Sequence, residues 1–404
     1  MPSIDNDVII IGGGPAGLIT SHSLAKDGHN AVVLEEHPEI GKPDHCAGLV
    51  STSGLSSLNL NPPRDVIQNY VSAARIFAPS GQSILIERGR REAFVIDRSR
   101  FDSWLADRAT DEGAEVLTGS KVLGVSSVER NPSTVSLKTA GGHEERRSLV
   151  VINAEGTRCV LSKLVGLPSV PRRSKYPAYQ FEMNGVDIDD DVVEMFYGRN
   201  VAPGFFAWII PLGDRRARVG LAAKDMAKRR LEASIRRHPV MNKRLEHASI
   251  ERGFGGIVLV GTPIKKTVTG RFLVVGDAAG MVKPTTGGGV IMGGIAARVA
   301  GQVVSSALRN EHLIERNLVT YESKWRALLM RELSAMHLAQ RMISNLSDHG
   351  LNILVRDAVD FNLVDIVRRE GDMDLQRRVI FRLLSNPYTI LAGLRAIRYF
   401  NPML

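Results

Sequence analysis

The apolar positions near the start of the chain form two short uninterrupted runs with a helical pattern between them. Residues 8–11 and 32–34 are apolar throughout, which is typical of strands buried on both faces of a parallel sheet. Between Ala16 and Lys26 the apolar positions recur at helical spacing, and the helix is predicted to end at Gly28. The chain is therefore predicted to open with a strand, a glycine-rich turn, a helix and a second strand.

Residues 97–156 add one more helix and several strands. An amphipathic pattern predicts a helix from Asp97 to about Glu112. Strands are predicted after it at residues 116–117, 121–128, 135–139 and 148–153. The last of these is a buried run that enters a glycine turn at Gly156.

A different pattern extends from about Pro171 to Thr267. Short alternating segments predict strands at residues 192–197, 205–210 and 218–222. Such alternation is typical of antiparallel sheets, so a second domain is predicted here. A strongly basic stretch at residues 224–247 is predicted to be helical.

The buried-strand pattern returns at residues 271–275, followed by a small-residue helix predicted at residues 290–308. Because about 115 residues separate this strand from Gly156, the first sheet is predicted to be split by the inserted alternating strands. From Leu313 to the end of the chain the pattern is helical.

Composition narrows the class of protein without choosing a function. The 404 residues are 44% hydrophobic and 24% charged, as in ordinary folded proteins, and the net charge of +9 suits an acidic partner. The two cysteines lie in unrelated segments, which favours a reducing compartment. The N-terminus lacks a signal-peptide pattern, and the longest uncharged apolar stretch, residues 284–297, has 14 residues. We therefore expect a cytoplasmic protein or one that lies on a membrane surface.

The glycine-rich turn at residues 12–17 has the spacing G-x-G-x-x-G between a strand and a helix. Gly12 permits a tight turn, Gly14 lets the backbone approach a pyrophosphate, and Gly17 lets the helix pack closely on the strand. The helix N-terminus offers N–H groups and positive potential to phosphates. The turn therefore predicts a bound dinucleotide.

An acidic residue follows the second strand, about 20 residues after the turn, as this motif requires. Glu35 is expected to accept hydrogen bonds from the ribose hydroxyls, with the adjacent Glu36 as the alternative. Because an acid disfavours a 2′-phosphate, the dinucleotide is expected to be FAD or NAD.

Three separated segments together resemble one group of flavoproteins. They are the glycine turn, the sequence Asp97-Arg98-x-x-Phe101-Asp102, and Gly276-Asp277-Ala278-Ala279 with Pro284 and Gly287-Gly288-Gly289. Over about residues 5–300 this combination is similar to the FAD-dependent group that includes p-hydroxybenzoate hydroxylase. The resemblance implies an α/β FAD-binding domain within a chain that is α+β overall. The expected domains are a split Rossmann-like FAD-binding domain (1–170 and 268–310), an inserted antiparallel-sheet substrate domain (171–267) and a helical C-terminal domain (311–404).

Two further segments are similar to the geranylgeranyl reductase family. Residues 41–51 contain the Cys46-Ala47-Gly48 sequence that archaeal members carry at this place. Residues 203–211 resemble the family signature P-x-x-Y-x-W-x-F-P, with Phe206 in place of the Tyr and Ile210 in place of the Phe.

This resemblance implies which residues would hold FAD. The dinucleotide turn and Glu35 would bind the adenosine diphosphate half, Arg98 the flavin side, Asp277 the ribityl or pyrophosphate region, and residues 287–289 the isoalloxazine ring. The full expected set is Gly12, Gly14, Pro15, Ala16, Gly17, Glu35, Glu36, Cys46, Ala47, Gly48, Arg98, Val122, Gly276, Asp277, Gly287, Gly288 and Gly289.

The implied activity is reduction of geranylgeranyl C=C bonds in archaeal-type lipid precursors by hydride from reduced flavin plus a proton. Cys46 is the candidate proton relay or shape-setting contact, with His45 as the alternative. Phe206 and Trp208 are also candidate catalytic residues, because aromatic faces stabilise positive charge on the chain. The expected walls of the dry substrate pocket are Phe205, Phe206, Trp208 and Ile210.

The expected partners are a geranylgeranylated lipid or diphosphate and an external reductant, NAD(P)H or ferredoxin. The sequence contains no nucleic-acid-binding motif and no metal-ligand spacing, so neither a nucleic acid nor a metal ion is expected. Residues 375–404 carry five arginines and no acid, which suits either peripheral contact with the inner face of the cell membrane or a helix packed on the core. The alternative functions are an FAD-dependent aromatic monooxygenase and a non-catalytic flavin- or lipid-binding protein.

Overall fold

The computed structural model describes residues 3–129, 132–309 and 314–399. The strands in this part of the chain are β1 (Asn6–Ile11), β2 (Ala31–Leu34), β3 (Leu49–Ser51), β4 (Ile67–Val71), β5 (Ala73–Phe77), β6 (Ser83–Glu87), β7 (Ala93–Ile96), β8 (Glu115–Leu117), β9 (Lys121–Ser126), β10 (Ser133–Thr139), β11 (Gly142–Asn153), β12 (Lys175–Asn184), β13 (Val192–Tyr197), β14 (Phe206–Gly213), β15 (Arg216–Ala222), β16 (Ser249–Leu259), β17 (Val268–Thr269) and β18 (Phe272–Val274).

The helices are α1 (Pro15–Lys26), α2 (Thr52–Ser57), α3 (Arg98–Asp111), α4 (Leu161–Leu164), α5 (Ala227–Arg237), α6 (Pro239–Arg244), α7 (Val290–Leu308), α8 (Ile314–Leu318), α9 (Thr320–Ser344), α10 (Asp348–Asp360), α11 (Val364–Glu370), α12 (Arg377–Leu384) and α13 (Pro387–Ile397). Two compact units divide the chain. The first contains Met1–Asp44, Arg98–Ser174 and Gly261–Leu333, and the second contains His45–Asp97, Lys175–Val260 and Ser334–Leu404.

The first unit is built on a sheet of order β17-β18-β11-β1-β2-β8. The five strands from β18 to β8 are parallel, and β17 is antiparallel to β18. β10 continues the sheet antiparallel to the exposed half of β11, and β9 pairs with β10. Since β18 pairs with β11, the predicted split of this sheet is confirmed.

Helices α1 and α7 pack on each other through small residues. A Cβ on Gly301 would lie 2.6 Å from the Cβ of Ser23, so only glycine permits this approach. By length and hydropathy α7 could cross a membrane, but most of it is buried inside the protein. We therefore assign α7 to the core of the first unit.

The second unit contains a seven-stranded sheet of order β16-β12-β15-β14-β13-β5-β6 and a small sheet of order β3-β7-β4. Every pair in the larger sheet is antiparallel except β13 with β5, which run parallel. On β14 the odd and even positions separate as the alternation predicts. Ala207 and Ile209 belong to one apolar cluster, while Phe206, Trp208 and Ile210 belong to another.

The two compact units divide the chain differently from the predicted domains. Residues 45–97 were expected in the FAD-binding domain, but they belong to the second unit because β5 and β6 extend its large sheet. The predicted C-terminal domain is divided at residue 333, within α9. The predicted helix at residues 224–247 is two helices, since His238 ends α5 and caps α6. Leu313 and residues 400–404, part of the predicted C-terminal helical pattern, lie outside the described residues.

Candidate active site

The dinucleotide turn connects β1 to α1 through two glycines that no other residue could replace. Gly12 has φ +105°, and its Cβ would lie 2.4 Å from the carbonyl oxygen of Ala154. A Cβ on Gly17 would lie 2.0 Å from the carbonyl oxygen of Gly12. A Cβ on Gly14, in contrast, would meet nothing within 4 Å. The space before Gly14 is therefore open to a ligand, as a pyrophosphate requires.

Two helix N-termini converge beside this turn. α1 begins at Pro15 and α7 at Val290. A Cβ on Gly276 would lie 2.8 Å from the Cβ of Ala16, and a Cβ on Gly293 would lie 3.2 Å from the Cα of Gly276. The positive ends of both helix dipoles therefore face the same region, which favours an anionic ligand.

A loop of glycines lies against two charged side chains at the N-terminus of α7, the half-buried Asp277 and the buried Lys283. A Cβ on Gly289 would lie 2.4 Å from Oδ1 of Asp277, and a Cβ on Gly288 would lie 2.7 Å from Cε of Lys283. Burial raises the pKa of Asp277, and the nearby positive charge of Arg98 opposes this increase. The sequence motifs did not identify Lys283, a buried lysine that directly follows an apolar segment.

Glu35 and Glu36 have different surroundings. Oε2 of Glu35 accepts a hydrogen bond from the backbone N–H of Gly13 at 2.7 Å, so this carboxylate lies at the dinucleotide turn. Glu36 pairs with Arg158 and Lys121, and the hydrogen bond from Arg158 lowers its pKa. Glu35 is also engaged, since its Oε1 accepts a hydrogen bond from the backbone N–H of His37 at 2.9 Å and lies 2.5 Å from Nδ1 of that residue. The position of its Oε2 at the dinucleotide turn favours Glu35 over Glu36 as the ribose ligand.

Arg98 and Asp102 form a bidentate ion pair on the first turn of α3. Nε of Arg98 donates to Oδ1 of Asp102 at 3.0 Å, and Nη2 donates to Oδ2 at 2.8 Å. Burial raises the pKa of Asp102, and the charge of Arg98 opposes this. Val122 lies half-buried on β9, next to the Lys121 that pairs with Glu36.

The Cys46-Ala47-Gly48 segment belongs to the second unit and leads into β3. Gly48 has φ +77°, and its N–H points at Sγ of Cys46 at 3.4 Å. The carbonyl oxygen of Gly48 accepts a hydrogen bond from the N–H of Ile96 at 2.8 Å. Cys46 is half-buried, whereas His45 is exposed. Of the two candidate proton donors, Cys46 therefore has the drier position.

Phe205, Phe206 and Trp208, at the start of β14, form an aromatic cluster inside a larger buried apolar cluster, and Ala47 packs against that apolar cluster. The rings of Phe205 and Phe206 stack with centroids 4.4 Å apart, and the Trp208 ring meets Phe206 edge-on at 6.0 Å. Ile210 lies in the same buried cluster, against which Ala47 packs. The structure therefore brings together two predicted groups of site residues that are about 160 positions apart in sequence.

Two polar side chains in this region were not found from the sequence. Gln180 accepts a hydrogen bond from Nε1 of Trp208 at 3.3 Å. Tyr197 lies directly opposite Phe206 in the sheet, with ring centroids 5.4 Å apart. Burial raises the pKa of the Tyr197 hydroxyl, so this group is neutral at physiological pH. In the sequence Tyr197 is only the last residue of a predicted strand, and Gln180 lies outside the strands we predicted.

Known proteins match this chain over most of its length. The family model described as lycopene cyclase protein matches residues 7–349. A digeranylgeranylglycerophospholipid reductase of Methanothermobacter thermautotrophicus is 33% identical over 392 residues, which cover 94% of this chain and 99% of that protein.

Two solved structures extend the comparison. A geranylgeranyl bacteriochlorophyll reductase-like protein of Thermoplasma acidophilum superposes with a TM-score of 0.85 at 26% identity, covering 97% of this chain and 98% of that one. The myxobacterial chondrochloren halogenase, an FAD-dependent halogenase, has a TM-score of 0.68 at 20% identity, and the match covers 97% of each chain. The halogenase shares the fold with this chain.

Proposed function

Because the chain belongs to the family of its digeranylgeranylglycerophospholipid reductase relatives, and to the family described as lycopene cyclase protein, we propose that it is an FAD-dependent reductase of prenyl lipids. It saturates C=C bonds of geranylgeranyl chains in isoprenoid lipid precursors of the archaeal membrane type. Each saturation adds a hydride to one carbon and a proton to the other. FAD, when bound in its reduced form, supplies the hydride.

The first unit offers the groups that FAD requires. The open space at Gly14 and the converging N-termini of α1 and α7 suit its pyrophosphate. Glu35 would accept hydrogen bonds from the ribose hydroxyls, since its carboxylate lies beside the same turn. Asp277 and Arg98 would hold the ribityl and flavin side, with residues 287–289 along the ring. Glycines at these last positions let backbone N–H groups approach an anionic ring closely.

The single observation that carries a prenyl substrate is that Ala47 of the Cys-Ala-Gly segment packs against the buried apolar cluster that contains Phe206 and Trp208. An isolated alkene is not an electrophile, so a proton must be delivered towards it while water is excluded. Phe206 and Trp208 provide apolar walls whose faces stabilise positive charge on the chain. The Cys46 thiol delivers the proton, and His45 is the less favourable donor because it is exposed.

The C-terminal helices support peripheral membrane contact from the cytoplasmic side. Large apolar side chains on α12 and α13 are exposed, namely Phe381, Tyr388, Ile390, Leu391 and Leu394. Arginines on and beside these helices add positive charge, although Arg378 and Arg382 pair with Glu370 and Arg395 pairs with Asp357. An apolar surface with positive charge suits an anionic bilayer that contains the substrate.

Anaerobic reoxidation of the reduced flavin tests the proposed activity. The purified protein is reduced chemically, and a geranylgeranylated phospholipid or geranylgeranyl diphosphate is added. We expect flavin reoxidation together with product masses that increase in steps of two hydrogens. Reoxidation only with oxygen and an aromatic substrate would support a monooxygenase instead, and no reoxidation at all would support a non-catalytic binding protein.

Further experiments test the role of Cys46, the identity of the electron donor and the membrane contact. Cys46→Ala is expected to lower the rate, and an unchanged rate with unchanged double-bond selectivity would remove Cys46 from the mechanism. NAD(P)H and reduced ferredoxin are compared as donors, because the sequence has one dinucleotide turn and the donor must dock transiently.

Vesicle flotation with anionic and neutral lipids tests the membrane contact. Phe381→Asp and Leu394→Asp are expected to abolish binding to anionic vesicles.

A further inference from the structure

Two side chains of the seven-stranded sheet bind the main chain of the Cys-Ala-Gly segment. Gln180, on β12, donates from Nε2 to the carbonyl oxygen of Cys46 at 3.0 Å. Arg218, on β15, donates from Nη1 to the carbonyl oxygen of Ala47 at 3.0 Å. Consecutive carbonyl groups are therefore bound from neighbouring strands, on the face of the sheet that carries the aromatic cluster.

Arg218 is held rigidly because each nitrogen of its guanidinium group is bound. The residue is 1% exposed. Nε donates to Oε1 of Glu182 at 3.0 Å, and Nη2 donates to Oε1 of Gln68 at 2.8 Å. Nη1 also donates to the carbonyl oxygen of Ile96 at 3.1 Å. A planar guanidinium with so many fixed partners makes a stiff support for the carbonyl of Ala47.

The backbone of Gly48 lies directly against this guanidinium group. A Cβ on Gly48 would lie 2.2 Å from Nη1 of Arg218 and 2.4 Å from the carbonyl oxygen of Ile96. The N–H of the same glycine faces Sγ of Cys46. Arg218 therefore constrains the main chain at Ala47 and Gly48, and this main chain determines where the Cys46 thiol lies.

Gln180 connects the segment to the aromatic cluster. Gly220 lies between Gln180 and Trp208 in register across the three strands. A Cβ on Gly220 would lie 2.6 Å from Cβ of Gln180 and 2.6 Å from Cε2 of Trp208. Because the central position has no side chain, Gln180 can accept from the indole of Trp208 while it donates to the carbonyl of Cys46.

We propose that Gln180 and Arg218 are positioning residues that set the direction of the Cys46 thiol by holding the carbonyl groups of Cys46 and Ala47. The inference rests on the proposed function, in which this thiol delivers the proton to the alkene. Neither side chain needs to contact the substrate. A thiol displaced by about 1 Å would lower the turnover number by up to about 100-fold.

The first experiment measures the thiol directly and requires no substrate. The holoenzyme is treated with the aromatic disulfide DTNB, and the modified peptides are assigned by mass spectrometry. Cys46 is half-buried and Cys159 is buried, so Cys46 provides the fast phase. We expect Gln180→Met and Arg218→Gln to change the Cys46 rate roughly tenfold, since access and orientation control thiol reactivity. Gln180→Met keeps the side-chain volume and removes no charge, so it carries the test if Arg218→Gln does not fold.

Arg252→Gln is the matched control, because Arg252 donates to the same Glu182 carboxylate from a half-exposed position and leaves Arg218 on Ala47. We expect its Cys46 labelling rate to stay within about twofold of the original. If all three variants label Cys46 like the original protein, the proposal is wrong, whatever the reductase assay shows.

The second experiment asks whether positioning matters to the reaction. We expect Gln180→Met to lower kcat while KM for the lipid stays within about threefold, together with a larger share of partly reduced chains. Altered labelling with unchanged kcat and unchanged products would overturn the catalytic part of the proposal. If the original protein reduces no prenyl lipid, the proposed function fails, and the labelling experiment still decides whether these residues position Cys46.

Discussion

The carboxylate of Asp277 occupies the place where a side chain on residue 289 would begin, because a Cβ on Gly289 would lie 2.4 Å from its Oδ1. Both groups belong to the region where the N-termini of α1 and α7 converge. In the proposed function this carboxylate binds a hydroxyl-bearing part of FAD, and desolvation raises its pKa. Under this proposal the site, as well as the fold, requires that residue 289 has no side chain.

Gly289→Ala should weaken FAD binding by about 100-fold, because the methyl group displaces Asp277 and FAD loses hydrogen bonds to that carboxylate worth about 1.5–3 kcal/mol. The measurement is a titration of the apoprotein with FAD, followed by quenching of flavin fluorescence. Gly393→Ala is the control, since a Cβ there meets nothing within 4 Å. Equal affinities of the two variants would contradict the role given to Asp277.

Gly14→Ala and Gly17→Ala should separate ligand binding from folding. A methyl group on Gly17 would overlap the carbonyl oxygen of Gly12, so we expect a loss of about 3 kcal/mol in the free energy of unfolding. Gly14 has φ −83° and open space before it. Its alanine variant should stay within about 0.5 kcal/mol in stability and still bind FAD about 100-fold more weakly. Urea denaturation of both apoproteins and FAD titration of Gly14→Ala provide the readouts. Normal FAD affinity in Gly14→Ala would place the pyrophosphate elsewhere.

Glu35→Gln and Glu36→Gln should differ in their effect on FAD affinity. The Glu35 carboxylate lies at the turn, and removing its charge is expected to weaken binding about tenfold, because hydrogen bonds to an ionised acceptor are stronger. Glu36 is engaged by Arg158 and Lys121, so its neutral variant should bind FAD within about threefold of the original. The same fluorescence titration measures both constants. A larger effect at Glu36 would reverse the assignment of the ribose ligand.

The parallel part of the fold could be predicted because its signals are local. The strands at residues 8–11 and 32–34 and the helix at residues 290–308 were found from runs and periodicity that depend only on neighbouring residues. The α/β fold and the resemblance to the geranylgeranyl reductase family are confirmed by the relatives. The assignments of individual site residues stay predictions.

Features that depend on distant parts of the chain could not be read from the sequence. Residues 73–77 join the large sheet only because β13 lies parallel to them, more than a hundred positions later. In the sequence Arg218 is an ordinary polar position of a predicted strand and Gln180 lies outside the predicted strands. The carbonyl groups that they bind, those of Ala47 and Cys46, lie more than 130 positions earlier in the chain. Hydrophobic periodicity reports which face is buried, but it does not report which backbone group a buried polar side chain will meet.

Glu182 should make the folded protein sensitive to acid. Burial alone would raise the pKa of this carboxyl group, but hydrogen bonds from Arg252 and Arg218 lower it from 4.5 to about 2. Between these two values the unfolded chain binds the proton and the folded chain does not. The stabilisation is therefore complete above about pH 4.5 and is lost as the pH falls towards about 2, by roughly 3 kcal/mol in total.

Glu182→Gln isolates this contribution, because the amide cannot titrate. We expect the variant to be less stable at pH 7, since Arg218 remains buried without its carboxylate. Its free energy of unfolding should then fall less steeply than that of the original protein as the pH is lowered from 5 to 3. Arg252→Gln should give an intermediate slope, because Arg218 still holds the pKa of Glu182 down. Urea denaturation followed by circular dichroism at each pH measures the slopes, and parallel curves for the original protein and Glu182→Gln would show that this carboxylate does not set the acid sensitivity.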